Sequence, residues 1–547
     1  MFFRIKPAKQ YRYLQIVQSV RKDNKVRQEV IATLGRMDIL QQSGQLEKLL
    51  HSGLRHCKEI KVLRAHSEGE TKPVAIRKIG PNLVFGRLWN ETGIKEILNK
   101  LTKKRRHDFD LERVIYLTVL HRLFCSGSDR SAERWKELYH IPGSEELSLQ
   151  HLYRAMAWLG EHQEKEDKVI KSTKNSIEEA LFTKNRDLFS QTSLVLFDTT
   201  SIYFHGKGGE SLGQRGHSKD RRGDCHQIVV GLVVDNTGRP ICCEIWPGNT
   251  ADVTTMAKII ERLRTKFHIC EICIAADRGM VSQEVLKTLE EMTPAVKYIV
   301  GMRIRRTKEV GEIVLTNKDP WTEITPEREY STDPSPLKIK EVKVAENRYI
   351  VCLNEEERRK DAHDRSSIVA SLQKQLRGGD KKLVSNKGYR RFLKVEDKKK
   401  HFAIDEKRVS HDALYDGIFV LRTNTNYDAK RVALSYKMLW MVEECFRTSK
   451  SILETRPIYH KRDETIRGHV FCSFLALVLK RELEIRMKEK NLHWEWAELI
   501  RGLDNLQEVE AELCGQRFLL RGQITGHASQ AIRGAQVAIP PTLRQIS

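Results

Sequence analysis

Ser193-Leu194-Val195-Leu196-Phe197-Asp198-Thr199-Thr200-Ser201 is an apolar run that meets a carboxylate, and the reading of this run decides the fold. Its length and its Val, Leu and Phe content suit a buried strand. A bare charge in apolar surroundings loses its hydration, so an aspartate closing such a strand needs a partner or a metal. The arrangement recurs where Ile272-Cys273-Ile274-Ala275-Ala276 ends at Asp277. Far downstream, Glu443 sits in the helical stretch Tyr436-Lys437-Met438-Leu439-Trp440-Met441-Val442-Glu443. Three carboxylates so placed make a two-metal site for phosphodiester chemistry the leading expectation.

Outward from Asp198, a hairpin of strands 228–234 and 240–246 is expected around the turn Asp235-Asn236-Thr237-Gly238. A helix over 252–267, the strand ending at Asp277, a helix over 282–292 and a strand over 296–301 follow. This β-β-β-α-β-α-β order resembles that of an RNase H-like α/β core with a mixed sheet. The last helix of that order, carrying Glu443, lies beyond a charged segment of about a hundred residues. A loop of that length inside a compact domain is implausible. The reading is therefore an inserted, mainly β subdomain at 302–410 with one helical segment around 366–376. The chain returns to the core at Gly417-Ile418-Phe419-Val420-Leu421.

The rest of the chain divides around this core, as 547 residues exceed what one hydrophobic core supports. Residues 1–109 read as a basic, β-rich DNA-binding region. In it two β-rich runs flank Lys22-Asp23-Asn24-Lys25 as a ribbon, a form shared by DNA-contacting ribbons and charge-protected edges. Residues 110–190 read as helical, with Asp110 as an N-cap. Arg130, Arg134, Lys136 and Arg154 there suit either a helix-turn-helix reader or an ordinary bundle. The core occupies 191–301 and 411–485, and 486–547 reads as a helical C-terminus.

With 96 Lys and Arg against 73 Asp and Glu, the formal charge is +23, which favours a polyanionic partner through counterion release. The longest apolar stretch, 470–479, is half the ~20 residues needed to span a bilayer, so no membrane role is expected. Eleven cysteines form no disulfide framework, as in a reducing cytoplasm. Cys270-Glu271-Ile272-Cys273 with His268 suggests zinc only weakly, because a single CxxC lacks a second pair, and buried free thiols are the simpler reading. Trp321 and Tyr389 suit either packing or stacking on an extruded base, and Lys103-Lys104-Arg105-Arg106 suits either a solvated linker or phosphate contact.

Tyr436, Glu443 and Lys450 have spacings that resemble the Y-x2-R-x3-E-x6-K signature of DDE transposases from prokaryotic insertion sequences. Leu439 stands where that signature has arginine. Leu196-Phe197-Asp198-Thr199-Thr200-Ser201 and Ala276-Asp277-Arg278-Gly279-Met280 are similar to the two aspartate motifs of that group. Arg456-Pro457-Ile458-Tyr459-His460 with Gly468-His469 resembles the block after the glutamate. The resemblance implies Asp198, Asp277 and Glu443 as catalytic residues holding two Mg2+ ions, with Mn2+ able to substitute. It implies Tyr436, Lys450, Arg278, Arg447 and His469 as DNA contacts. Glu444 competes with Glu443 by position, but the seven-residue steps to Tyr436 and Lys450 favour Glu443.

The activity so implied is cleavage at the terminal inverted repeats of an insertion sequence and joining of the freed 3′-hydroxyls to target DNA. Double-stranded DNA is the partner, with a homodimer in a paired-end complex, partly through the C-terminal helices, in a cytoplasmic, nucleoid-associated protein. Two other classes compete. One is a catalytically silent, transposase-derived DNA-binding protein, which would have no use for three carboxylates facing a polyanion. The other is an RNase H-like nuclease without strand transfer.

Overall fold

The turn Asp235-Asn236-Thr237-Gly238 forms for the reason its composition gives. The Asp235 carboxylate accepts from the backbone N–H groups of Thr237 and Arg239, both at 2.8 Å, and Gly238 takes φ 80°. In the computed structural model, residues 1–546 are described apart from 23–24, 55–71, 104–106, 166–167, 186–193, 270, 306–308, 312–315, 327–334, 378–390, 396–401 and 514–515. The tip of the N-terminal ribbon, most of the Lys103–Arg106 run, Cys270 and Tyr389 thus lie outside the described residues. One unit comprises Met1–Gly80, Arg501–Ser529 and Ala538–Ser547, and the other Pro81–Ile500 with Gln530–Val537.

In the larger unit a nine-stranded sheet contains β1 (Leu194–Tyr203), β2 (Gln227–Asp235), β3 (Pro240–Pro247), β4 (Cys273–Ala276) and β5 (Lys297–Gly301). It continues with β6 (Thr322–Ile324), β7 (Leu337–Val344), β8 (Asn347–Asn354) and β9 (Ile418–Thr423). The strands stand in the order β6-β7-β8-β9-β5-β4-β1-β2-β3. β4 is parallel to both β1 and β5, and the other neighbours are antiparallel. Helices α1 (Thr255–Thr265) and α2 (Gln283–Glu291) make the two crossovers that parallel strands require. The β-β-β-α-β-α-β order expected from the sequence is thus present. Val195, Phe197, Ile259, Leu263, Ile274, Leu286 and Leu289 belong to one buried cluster between sheet and helices.

The segment expected as a mainly β insertion is mixed. Its strands β6, β7 and β8 extend the central sheet through β9 instead of forming a separate layer. Its longest element is the helix α3 (Glu355–Arg377), started by the Asn354 side chain, which accepts from the N–H groups of Glu356 (2.9 Å) and Glu357 (3.2 Å). The helix is so charged that its apolar periodicity is faint. It buries Leu372 against Phe392 and Leu393, beside a small hairpin.

Helices α4 (Ala429–Lys437), α5 (Trp440–Ser451) and α6 (Asp463–Glu489) complete the unit. α6 packs on helices Leu149–Leu159 and Leu111–Phe124, the latter capped by Asp110 as expected. Two of the basic residues considered for DNA reading are engaged within this bundle. The Lys136 ammonium donates to the carbonyls of Ser144, Glu145 and Leu147 at 2.6–2.9 Å, and Arg154 pairs with Asp108 at 2.8 Å. Among the described residues, no helix is long and apolar enough to cross a membrane.

The smaller unit contains the expected ribbon, Tyr11–Lys22 with Lys25–Arg36, joined by a third antiparallel strand, Phe2–Ala8. The C-terminus is a correction, because the expected helical region also holds strands Gln507–Leu513, Gln516–Arg521 and Leu543–Ile546. With Lys72–Lys78 they build a four-stranded sheet around Ala511, Phe518, Leu520 and Leu543. Glu508, Glu510 and Glu512 alternate there with Val509 and Ala511, a period of two rather than 3.6.

Where α6 crosses Leu149–Leu159, a Cβ added to Gly468 would lie 1.9 Å from the Met156 carbonyl oxygen. Gly468→Ala is expected to lower stability by about 1–3 kcal/mol, read as a shift of the denaturant midpoint.

Candidate active site

Parallel pairing brings the first two acids together. Phe197 lies opposite Ala276, so Asp198 and Asp277 follow at the same level on neighbouring strands, which run about 4.8 Å apart. The strand expected over 193–201 is present as β1, which runs past Asp198 to Tyr203. What ends at the acids is β4, and its end opens the sheet beside a half-buried Asp198.

The Asp198 carboxylate accepts from the Thr199 N–H at 2.7 Å, and the Lys219 ammonium stands 3.6 Å away. Burial pushes its carboxyl above the ordinary range, with Asp277 and Asp252 adding to the rise and Lys219 opposing it. Asp277 is exposed and accepts from the Tyr436 hydroxyl at 3.0 Å. That approach needs Gly301, where an added Cβ would lie 2.5 Å from the Tyr436 oxygen. Glu443, on α5, is exposed at the same cluster, and its carboxyl is also pushed up, by desolvation first and then by Asp198 and Asp277. Glu444 instead pairs with Arg447 at 3.0 Å.

Among the described residues, no three His, Cys, Asp or Glu side chains converge in a geometry that could hold one ion. Asp198 and Asp277 are instead each held by a protein donor. The set still fits divalent cations in its chemistry, since it is all carboxylate oxygen, the donor preferred by magnesium and manganese. Asp277 adds to the rise at Asp198, and Asp198 and Asp277 add to that at Glu443, a repulsion that bound cations relieve.

The expected DNA contacts separate into groups. One continuous helix was expected through Tyr436 and Glu443, but the chain breaks at Met438-Leu439 between α4 and α5. Tyr436 therefore meets the acids through tertiary packing and not through helical spacing. Leu439, at the arginine position of the signature, is buried and begins α5. Lys450 shares α5 with Glu443 as expected, but its ammonium donates to Asp220 at 2.8 Å, and Arg456 reaches the other Asp220 oxygen at 2.5 Å. Arg447 is exposed. Arg278, also exposed, lines with Asp277, His217, Arg303, Arg305 and Arg391 a cleft of about 920 Å³. His469 is not available to DNA. It is buried in α6 between Arg122, 2.9 Å from Nδ1, and the Thr455 carbonyl, 3.1 Å from Nε2. Burial and Arg122 hold its pKa well below the usual imidazole value.

Cys273 is a buried free thiol whose pKa burial pushes up to about 12, the packing role weighed against zinc. Trp321 is 38% exposed with the Lys340 ammonium 4.9 Å from its ring centre.

Sequence reasoning missed Asp252, Lys219 and Asp220. Asp252 opens the short 3-10 turn, Asp252–Thr254, that leads into α1, and reads as an ordinary acid at a helix start. Lys219 and Asp220 lie in the charged connection between β1 and β2, where no periodicity singles out a residue.

A family model described as transposase DDE domain matches residues 189–479, more than half of the chain. This chain belongs to the DDE transposase family. The IS1634 family transposase N-terminal domain matches residues 3–68 of the transposase, the region holding the three-stranded sheet. It is accordingly a metal-dependent DNA endonuclease and strand transferase of an insertion sequence. No curated protein sequence matches it. Similar solved structures include the piggyBac transposase in a synaptic complex with hairpin DNA, at 12% identity and a TM-score of 0.35 over 78% of each chain. The Mos1 transposase paired-end complex with the left transposon end is 16% identical, with a TM-score of 0.15, over 36% of this chain and 60% of that one. The family assignment rests on the sequence models.

Raised carboxyl pKa values fix a sign. Asp198 and Glu443 favour the folded state below the ordinary carboxylate range, and that contribution is lost as pH rises through their folded values. Asp198→Asn should therefore raise the melting temperature of the metal-free transposase at about pH 7, with the gain shrinking toward about pH 4. Removing the donor that orients Asp277 is expected to cost more in rate than in fold. Tyr436→Phe should slow single-turnover DNA cleavage roughly 10–100-fold without lowering the melting temperature.

Proposed function

We propose that Asp198, Asp277 and Glu443 would hold two Mg2+ ions, with Mn2+ able to substitute. With this site the transposase cleaves at the terminal inverted repeats of its own insertion sequence and joins the freed 3′-hydroxyls to target DNA. The observation that carries the reading is the parallel pairing of Phe197 with Ala276, which sets two acids side by side where β4 ends, with Glu443 electrostatically coupled to both. When bound, the divalent ions stabilise charge on the attacking and leaving oxygens of an in-line phosphoryl displacement.

The protein's own groups position the substrate. Tyr436 fixes the Asp277 carboxylate. Lys450 is paired with Asp220, as is Arg456, which lies beside it, and both exchange that carboxylate for a DNA phosphate on binding. Arg278 and Arg447 are exposed and can add phosphate contacts. The strand order β3-β2-β1-β4-β5, with β4 parallel to both neighbours, supports an RNase H-like core. In this reading residues 1–109 bind the element ends. The working assembly is a homodimer pairing two ends, and the enzyme acts in the cytoplasm on the nucleoid.

The test is to incubate the purified transposase with Mg2+ and a duplex carrying the DNA that flanks its own reading frame. Nicks at the inverted repeats and joined products are expected; binding with no cleavage in either Mg2+ or Mn2+ would overturn the reading. Asp198→Ala should bind these ends as the parent does and leave them uncut.

A further inference from the structure

Between the acids stands a cation that the proposed reaction does not use. The Lys219 ammonium lies 3.6 Å from Asp198 Oδ1 and 3.4 Å from Asp252 Oδ2. It donates to the Thr199 carbonyl at 2.6 Å and to the Thr199 hydroxyl at 2.8 Å, and that hydroxyl donates onward to Asp252 Oδ1 at 2.7 Å. The Lys219 backbone N–H donates to the Ser201 hydroxyl at 2.8 Å. Thr199 and Ser201, two of the three residues after Asp198, thus hold the β1–β2 connection where its lysine reaches the acids. With side chains of Lys219, Asp198 and Asp252 only 32%, 21% and 25% exposed, solvent screens the group poorly.

A lysine so placed has a specific electrostatic consequence. Asp198, Asp277 and Glu443 repel one another, and a tethered ammonium offsets part of that repulsion without being a metal. The same charge opposes any divalent cation that Asp198 accepts. Asp252 gives the ammonium a second carboxylate, joined to the first through Thr199, so it can leave Asp198 without losing its counter-ion.

We propose that Lys219 is the resident counter-ion of Asp198 in the DNA-free transposase, that divalent cations displace it, and that Asp252 is the acceptor to which it retires and not a metal ligand. The inference rests on the metal-site reading given above. It makes metal loading a competition within the protein and assigns positioning roles to two residues outside the three acids. It also gives a use to the Thr-x-Ser pattern that follows Asp198.

The test measures Mn2+ binding to the full-length, DNA-free protein, with free Mn2+ followed by electron paramagnetic resonance. Removing the competing charge in Lys219→Met should tighten Mn2+ binding roughly two- to fivefold, the worth of one partly exposed ion pair. Lys219→Arg, which keeps the charge, should bind as the parent does. Asp252→Asn, which removes the retreat, should weaken binding by a similar factor. Thermal melts of each variant show whether it folds. Folded Lys219→Met with parental or weaker Mn2+ affinity would overturn the proposal, as would Asp252→Asn that binds as tightly as the parent. Asp198→Asn separates the two readings. If it retains parental Mn2+ affinity, the metal site itself is misassigned; if it loses that affinity while Lys219→Met changes nothing, only the Lys219 role fails.

Discussion

The parallel ladder between β1 and β4 is the constraint from which the rest follows. It sets Phe197 opposite Ala276 and thereby brings two carboxylates, 79 positions apart in the chain, to one level of the sheet. A slip of one residue would turn the side chains to opposite faces and separate the acids. The apolar cluster beneath, with Val195 and Phe197 from β1 and Ile274 and Ala276 from β4, locks that register because a slip would expose it. The hydrophobic core holds the acids together, and the raised pKa values of Asp198 and Glu443 come first from that burial and then from their acidic neighbours.

Around the acids the protein supplies a shell of donors. Tyr436 holds Asp277, Lys219 and the Thr199 N–H attend Asp198, and Lys450 with Arg456 neutralises Asp220. An enzyme whose net charge is +23 and whose substrate is a polyanion must keep its site folded before substrate arrives. Internal pairing does so without a buried, unpaired charge.

The elements that were hardest to read from sequence share a cause. Only the later part of α3, around 366–376, carries a legible apolar seam, and its first turns depend on the Asn354 start within a charged surface that hides the period. The strand Gln507–Leu513 finds its second partner more than four hundred positions away, in Lys72–Lys78, which no local pattern reveals. Gly468-His469 matched a motif that suggested DNA contact, yet the glycine permits a helix crossing and the histidine is buried beside Arg122. A motif records that residues are needed together; it does not say whether substrate or packing needs them.

The sequence by itself determined the strands and crossover helices of the core, the hairpin turn at Asp235 and the three candidate acids. These depend on local periodicity, on turn chemistry and on the oddity of a charge within or beside an apolar run. Tertiary structure alone decided that Asp198 lies beside the end of the neighbouring strand, that Tyr436 reaches Asp277 across a broken helix, and that Lys219 and Asp252 join the site. Those facts depend on which segments meet after the chain has folded, and a one-dimensional pattern carries no record of a hydrogen bond between positions that only the core brings together.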